Sequence, residues 1–431
     1  MTEPTAPLVS PALAPTPPPA PRRSLSPRAR WAVPGVVAVA VAAAVGVPAL
    51  ASAGSADLPR VTAAELVDRV VHADPVPVQG TVVYTARLGL PELPISEMTG
   101  ADPLNLLSGS STLRVWSDGA DRSRVALLGT ASEYSVVRDA AEAWTYSSSD
   151  DAVTHYSLDA ADQARYDALA ADLRAGASPT PGADLPTPEE AARQALAQVE
   201  QHAQVTTDAP VTVAGRDAYQ VVVSPTDAGT LVDRVVVAVD AETSAPLRVQ
   251  VWATQDTGSP SLEVGFTDVS FTAPDDSVLA FSAPAGAAVE DVVVPLPAAP
   301  ADAAAPADAS HATPPEGVTL AGEGWSQVVT FSGVDVAGLV GGDATSLSSV
   351  PGADRVIGSD AAQDLVQEFV PSDDSGTPAA PSLDTSALYD QLTTAVPEGR
   401  LLSSTLLSVL VTEDGRVLIG SVPGQTLRDA A

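Results

Sequence analysis

The sequence of 431 residues contains no cysteine, which excludes disulfide scaffolds, thiolate metal sites, iron–sulfur clusters and thiol nucleophiles. It also contains no lysine, since all 21 basic residues are arginine. Schiff-base chemistry, phosphate-loop lysines and Ser-x-x-Lys acylases are therefore excluded as well. Only four histidines occur, and no two of them have metal-ligand spacing. These absences favour a protein that is not an enzyme and uses no cofactor or metal.

Acidic residues dominate the charge, with 54 aspartates and glutamates, 21 arginines and a net charge of −33. Such a surface would repel a phosphate backbone, so the composition excludes a general nucleic-acid binder. At about 100–200 residues per domain, a chain of this length allows two or three folding units.

The amino-terminal region has the organisation of an export signal. Residues 1–30 are rich in proline and contain four arginines, which predicts a disordered cytoplasmic n-region. Residues 31–53 carry no charge and end in Ala51-Ser52-Ala53, a small-residue cleavage site. This segment is a signal peptide or, if it stays uncleaved, a transmembrane anchor, because about 20 apolar residues span a bilayer. Both alternatives predict export to the outer face of the cytoplasmic membrane, to the cell-wall space or out of the cell.

Composition divides the exported part into a principal domain, residues 57–286, and a smaller α+β region, residues 318–431. Residues 287–317 are mostly Ala, Pro, Asp and Val, and a stretch near 341–382 is similarly poor in large apolar residues. Such compositions bury too little apolar surface to offset chain entropy. They predict a linker between the two regions and a disordered insert within the second.

Three helices are predicted in the principal domain. Thr62 followed by Glu65 has the spacing of a capping box, which predicts that the first helix starts there. The second starts at Thr187-Pro188 and ends near Gln201, and the third spans residues 159–174.

Most of the remaining principal domain has the pattern of β-strands separated by turns. Eleven strands are predicted, at residues 81–87, 112–116, 122–128, 133–138, 143–147, 152–157, 205–213, 218–224, 231–239, 246–253 and 262–271. The smaller region adds strands at 325–331 and 401–411, a turn at 413–415, a return strand at 416–420 and a helix at 423–430. Consecutive strands with short turns predict a large antiparallel meander.

Apolar and polar residues alternate along these strands, so each strand has one apolar face. A sheet of more than about ten strands tends to curl on itself. The predicted fold class is therefore mainly β (α+β), a strongly curved antiparallel sheet with helices on its concave side. A curved apolar face that few helices cover leaves a cavity, although a dry core is the alternative. The candidate lining residues are Tyr84, Leu113, Val115, Val125, Leu127, Tyr219, Val221, Val237, Leu247, Val249, Val251, Val264 and Phe266.

Several short motifs follow one another in order along the principal domain. They include Leu113-Arg-Val-Trp-Ser-Asp-Gly119, Val213-Ala-Gly-Arg-Asp-Ala-Tyr219 and Val239-Asp-Ala-Glu-Thr-Ser-Ala-Pro-Leu-Arg248. With these motifs, residues 58–286 resemble the LolA-like lipoprotein-carrier superfamily, in the form common in exported proteins of high-GC Gram-positive bacteria. Relatives in that superfamily include LppX-type lipid carriers and the N-terminal domain of RseB/MucB-type regulators.

The resemblance implies an unclosed β-barrel with an apolar cavity for acyl chains. The first function hypothesis is therefore an exported cell-envelope protein that binds a lipid or a lipoprotein acyl chain without catalysis. The alternative is an envelope-stress sensor of RseB/MucB type, which binds an anti-sigma factor or another membrane partner and uses lipid as its signal. A neighbouring transporter gene would favour the carrier, and a neighbouring anti-sigma gene would favour the sensor.

A hydrolase is the third hypothesis, and it requires a histidine–acid pair in the cavity. His155 alternates with Val153 on a predicted strand, where a lone histidine is more often a surface or core residue than a base. Arg122 and Arg124 could meet a lipid phosphate, but pairing with neighbouring acids is the simpler interpretation.

Overall fold

The structure is a computed structural model, and it describes residues 58–71, 73–90, 100–101, 103–174, 201–293, 317–340, 346, 349 and 385–431. These residues belong to one compact unit, Gly54–Ala431. The predicted export segment, residues 1–53, lies outside the described residues. So do the predicted helix at 187–201, apart from its last residue, and nearly all of the predicted insert at 341–382. Within the described ranges, no helix is both long and apolar enough to cross a membrane.

A sheet of twelve strands forms most of the described chain. Its strands are β1 Val78–Ala86, β2 Gly109–Ser117, β3 Arg122–Leu128, β4 Glu133–Asp139, β5 Glu142–Ser147, β6 Ala152–Ser157, β7 Ala203–Val213, β8 Arg216–Pro225, β9 Val232–Asp240, β10 Pro246–Ala253, β11 Leu262–Ser270 and β12 Ala288–Val293. All eleven strands predicted for the principal domain are confirmed as β1 to β11, because their alternation and their turn residues agree.

The strand order is β12-β6-β5-β4-β3-β2-β1-β11-β10-β9-β8-β7, so β1 and β11 join two antiparallel meanders. The end strands β12 and β7 are not paired with each other, and the sheet is therefore open. The end strand β7 nevertheless contacts β11, four positions away in the order, which requires strong curvature in this half. A mainly β fold built on a large, curved and open sheet is thus confirmed.

Strand β12 corrects two expectations. The linker was predicted to begin at residue 287, but Ala288–Val293 is paired along its whole length with β6. This pairing is parallel, whereas the predicted sheet was antiparallel throughout. Residues 271–287 carry the chain from β11 across the sheet to its far edge, where β12 lies parallel to β6.

Three helices and one 3-10 helix accompany the large sheet: α1 Ala63–Val71, the 3-10 helix Pro103–Leu107, α2 Ala160–Arg174 and α3 Asp276–Leu279. The predicted capping box is present at α1. The Thr62 amide donates to Glu65 Oε2 at 2.9 Å, and the Glu65 amide donates to Thr62 Oγ1 at 3.3 Å. These hydrogen bonds from Thr62 lower the pKa of Glu65, so the motif stabilises the helix start in its ionised form.

A second sheet has six strands in the order β13-β14-β18-β17-β16-β15. Its elements are β13 Val318–Ala321, β14 Val328–Phe331, α4 Val336–Val340, α5 Thr385–Leu392, β15 Thr394–Val396, β16 Gly399–Ser403, β17 Ser408–Thr412, β18 Val417–Gly420 and α6 Gly424–Ala430. The predicted terminal helix is confirmed. The predicted strand at 325–331 starts only at Val328, because Gly324–Ser326 forms a 3-10 turn. The predicted strand at 401–411 is two strands, because Ser404 turns the chain and its amide donates to the Leu407 carbonyl.

Hydrogen bonds join the two sheets at two parts of the large sheet, the loop between β8 and β9 and the residues that follow β1. The Leu231 amide, in the loop between β8 and β9, donates to the Ser421 carbonyl at 2.7 Å. Beyond the end of β1, the Leu88 carbonyl accepts from the Thr405 amide at 2.9 Å. A third bond runs from the Trp325 amide to Asp227 Oδ2 at 3.0 Å. Loops that follow β1 and β8 of the large sheet therefore hold the second sheet.

Candidate ligand-binding face

The strand register places twelve of the thirteen candidate lining residues on one face of the large sheet, which we call the apolar face. Antiparallel cross-strand partners share a face, and the pairs Tyr84↔Val264, Val249↔Val264 and Val249↔Val237 connect β1, β11, β10 and β9. In the other direction, Leu113 pairs with Leu127. The apolar positions that alternate along each strand therefore lie on one surface of the sheet, although the strands are far apart in the sequence.

Helix α1 covers one end of the apolar face. Its Leu66, 1% exposed, packs in a buried cluster with Tyr219, Val221 and Val239 of β8 and β9. Val237 packs against the same cluster. Three of the candidate residues thus meet a helix of the chain itself.

The centre of the apolar face is only partly covered. Eight candidate residues on the five adjacent strands β3, β2, β1, β11 and β10 are half-buried, and seven of them, all except Phe266, form one surface. We call this surface the apolar strip, and it consists of Tyr84, Leu113, Val115, Val125, Val249, Val251 and Val264. With strands about 4.8 Å apart, it is roughly 19 Å wide. It offers an elongated apolar surface to a ligand.

Leu247 does not belong to this surface. A register shift between Pro246 and Arg248 marks a bulge in β10, and a bulge interrupts the alternation of faces. Leu247 is 1% exposed and packs with Ala218 and Ala238, which lie on the opposite face. Phe266 pairs with Val82 on the apolar face but also packs against this cluster, so it lies at the border of the strip.

The 3-10 helix Pro103–Leu107 brings polar groups to one end of the apolar strip. It contacts β1 and β2, and the Ser111 hydroxyl donates to the Asn105 carbonyl at 3.4 Å. Ser111 is the cross-strand partner of Tyr84. Burial raises the pKa of the Tyr84 hydroxyl, which therefore stays protonated at neutral pH. The sequence did not single out Asn105, because a short 3-10 helix has no periodic apolar pattern to detect.

On the opposite face, the crossover residues 271–287 run over β2 to β5. Leu279 is 1% exposed and belongs to α3, which contacts β2, β3 and β4. Phe281 stacks on Trp144 with ring centroids 5.6 Å apart. Asp276 pairs with Arg122 at 2.9 Å. The crossover therefore fills this side of the sheet with apolar and aromatic contacts.

His155 also lies on the opposite face, beside the crossover. Its Nδ1 is 2.9 Å from Asp291 Oδ1 on β12, and its ring stacks on Trp144 at 5.0 Å. A histidine–acid pair thus exists, but it is not on the apolar face, where the hydrolase hypothesis required it. Its Nε2 contacts no hydroxyl group among the described residues. The described residues also contain no group of three or more metal-ligating side chains.

The two arginines considered for a lipid phosphate are paired within the chain, as the simpler interpretation predicts. Arg122 contacts Asp118 at 3.0 Å in addition to Asp276, and Arg124 contacts Glu133 at 3.0 Å. Each arginine therefore has an acidic partner within the chain, although Arg124 Nε, a buried donor, has no hydrogen-bond partner among the described residues.

Solved structures similar to the chain include MucB and proteins of the LolA superfamily. The crystal structure of MucB has 17% identity, a TM-score of 0.36 and coverage of 85% of this chain and 94% of MucB. The MucA/MucB complex of Pseudomonas aeruginosa has 16% identity, a TM-score of 0.38 and coverage of 85% and 96%. A LolA superfamily protein from Nitrosomonas europaea has 11% identity, a TM-score of 0.19 and coverage of 52% and 99%.

MucB and LolA superfamily proteins are also the proteins named in the resemblance drawn from the sequence motifs, and at these identities and TM-scores the likeness carries no argument beyond that. No protein-family model matches the chain. No curated protein sequence matches it either. At such identities and TM-scores, the similarity carries no conclusion about function, which has to come from the chain's own geometry.

Proposed function

We propose that the protein is an exported cell-envelope protein that binds a lipid or a lipoprotein acyl chain on the apolar strip, without catalysis. One observation carries this proposal: seven half-buried apolar side chains from five adjacent strands form a continuous surface beside the part that α1 covers. Each methylene buried there contributes about 0.8 kcal/mol, so a long acyl chain gains several kcal/mol after ordering costs.

A matched pair of valine variants tests the proposal. Val249 lies in the strip on β10, whereas Val83 lies on the opposite face of β1, and both are half-buried. Val249→Asp puts a charge in the strip and is expected to weaken acyl binding at least about tenfold, because an unpaired carboxylate cannot be buried under a methylene chain. Val83→Asp introduces the same group elsewhere and is expected to leave binding unchanged.

The measurement is the uptake of a fluorescent fatty-acyl probe by the full chain purified without detergent, with native mass spectrometry to detect lipid carried from the host. Thermal unfolding of both variants checks that they are folded. Equal losses in the two variants, or no uptake by the wild type, would contradict a ligand site on the apolar face.

A sensor that passes lipid occupancy to a membrane partner, such as an anti-sigma factor, is the second candidate function. The supporting observation is that the second sheet bonds to Leu88, four residues after Tyr84 of the strip. A ligand that moves β1 would therefore act on the contact with Thr405. The test is amide hydrogen exchange at residues 405 and 231 with and without bound probe. Unchanged exchange at both positions would favour the simple carrier.

A further inference from the structure

The two end strands of the large sheet differ in what they present at their outer edge, and we infer that β12 is a docking site for an extended, basic segment of a partner protein. The segment adds to the sheet as one more strand. β12 pairs with β6 on one side, and no strand among the described residues pairs with its other side. The backbone groups of such an edge can bond to an incoming strand. The site lies outside the apolar strip and does not depend on acyl binding.

The other end strand, β7, carries the features by which sheets avoid such pairing. Its register shifts between Asp208 and Val211, Pro210 lies within it, and most of its exposed residues are polar. β12 has no bulge, no proline and no basic residue, and its Val289 and Val293 are 55% and 53% exposed. Because sheets normally protect an apolar edge, an edge without any protection is suited to binding.

β12 is also held in place as a template. It is paired with β6 along its whole length, and Val292 is 4% exposed. Asp291 Oδ1 lies 2.9 Å from His155 Nδ1 on β6. A strand that is already ordered reduces the entropy lost when a segment binds to it. The outer edge of β12 is therefore a preformed surface.

Charge defines the partner. Glu290 is exposed and has no ion-pair partner among the described residues. The side chain of Asp291 remains 77% exposed beside His155, and Glu142 Oε2 lies 3.8 Å from His155 Nε2. Across neighbouring strands, opposite charges stabilise the pairing and like charges destabilise it. A guest strand with arginine or lysine opposite Glu290, and with apolar residues opposite the two exposed valines, complements this edge.

A second copy of the chain does not fit as the guest. The antiparallel register that pairs Val289 with Val293 of the second copy puts Asp291 opposite Asp291, where like charges destabilise the pairing. Both molecules also carry a net charge of −33, which opposes their association. The partner is therefore a different protein.

Two short peptides and the full chain test the charge preference. The peptide acetyl-Val-Thr-Thr-Arg-Val-Thr-amide matches the six residues of β12, with its arginine opposite Glu290 in the antiparallel register. The second peptide has glutamate in place of arginine. We expect the arginine peptide to bind about fivefold more tightly, as measured by fluorescence anisotropy of labelled peptides. In Glu290→Arg, the order of the two affinities should reverse.

Backbone methylation distinguishes strand addition from a general attraction to an acidic protein. In an antiparallel pair, alternate residues of a strand bond to the same neighbour. N-methylation of one alternate set of amides in the arginine peptide should therefore abolish binding, whereas methylation of the other set should preserve it. Equal effects of the two sets would overturn strand addition.

A matched pair of lysine variants assigns binding to its edge. Val289→Lys places a positive charge on β12 and should weaken binding of the arginine peptide about tenfold. Thr206→Lys adds the same charge at an exposed position of β7 and should leave peptide binding unchanged. Uptake of the acyl probe should be the same in the wild type and both variants, which separates this inference from the proposed function.

Three results would overturn the docking site. The first is an equal loss of peptide binding in the two lysine variants. The second is the absence of binding of either peptide to the wild type. The third is dimerisation of the free chain that Val289→Lys abolishes, because the guest would then be a second copy.

Discussion

At the scale of single residues, Asp240 shows what two of the sequence motifs do in the structure. Its carboxylate is 1% exposed and accepts from Arg216 Nε at 2.7 Å, from the Thr243 amide at 2.8 Å and from the Glu242 amide at 3.1 Å. Asp240, Thr243 and Arg216 are the Asp-x-x-Thr and Gly-Arg elements of the motifs that carry the resemblance. They tie the β9–β10 turn to the start of β8, so these motifs stabilise the sheet and do not touch the apolar strip.

Asp240→Ala should lower the free energy of unfolding by about 3 kcal/mol, because it leaves the Arg216 guanidinium without its buried partner. Glu242→Gln removes the exposed partner of the same arginine and should change stability by less than about 1 kcal/mol. Urea unfolding of both variants measures the difference. Similar small losses of unfolding free energy in the two variants would show that the Asp240–Arg216 ion pair does not stabilise the fold.

The pH dependence of this contact has a definite sign. Burial by itself raises the pKa of the Asp240 carboxyl. The hydrogen bonds from Arg216, Thr243 and Glu242 lower this pKa by more, so the pKa of Asp240 in the folded protein lies below its usual value. The stabilisation is therefore fully present above the unfolded pKa of about 3.9 and is lost as pH falls through the folded pKa. We expect the stability gap between wild type and Asp240→Ala to narrow below about pH 4. Urea unfolding curves of both proteins at pH 6 and pH 3 measure this difference in the free energy of unfolding. An equal difference at the two pH values would show that ionisation of Asp240 is not its cause.

The crossover, residues 271–287, is the element on which β12 depends. Leu279 and Phe281 pack on the opposite face, and the His155–Asp291 pair then joins β12 to β6. Leu279→Ala should cost about 3 kcal/mol, because it leaves a cavity under a fully buried side chain. It should also speed amide exchange in β12. Asp276→Asn changes an exposed carboxylate, so it should neither lower the free energy of unfolding measurably nor speed amide exchange in β12.

Elements were predictable where a regular pattern and a turn signal agreed. This holds for β1 to β11 and for the capping box of α1. Strand β12 was mistaken for a linker because its six residues lie within an Ala/Pro/Asp-rich stretch and pair with β6 only after a crossover. Leu247 was assigned to the wrong face because period-two reasoning fails at a bulge.

At the scale of the whole molecule, one contact between the two sheets is made by the loop between β8 and β9. Asp227 Oδ2 accepts from the Trp325 amide, and Gly324 beside it has φ +59 and lies against His202. Asp227→Ala should therefore loosen the second sheet at a cost of about 1–2 kcal/mol. Amide hydrogen exchange that is faster around residue 325 and unchanged in β16 and β17 would show this loosening. Thr405→Val, which removes only an exposed side-chain bond, is the control.

The open ends of the large sheet have a consequence for ligand selectivity. A closed barrel has a lumen of fixed girth, because every strand is hydrogen-bonded on both sides. Here β12 and β7 end the sheet, so no ring of hydrogen bonds fixes its curvature. Twist between neighbouring strands ranges from roughly 10 to 35°, and small changes across five strands alter the breadth of the strip. The protein should accordingly tolerate acyl ligands that differ in chain length and branching.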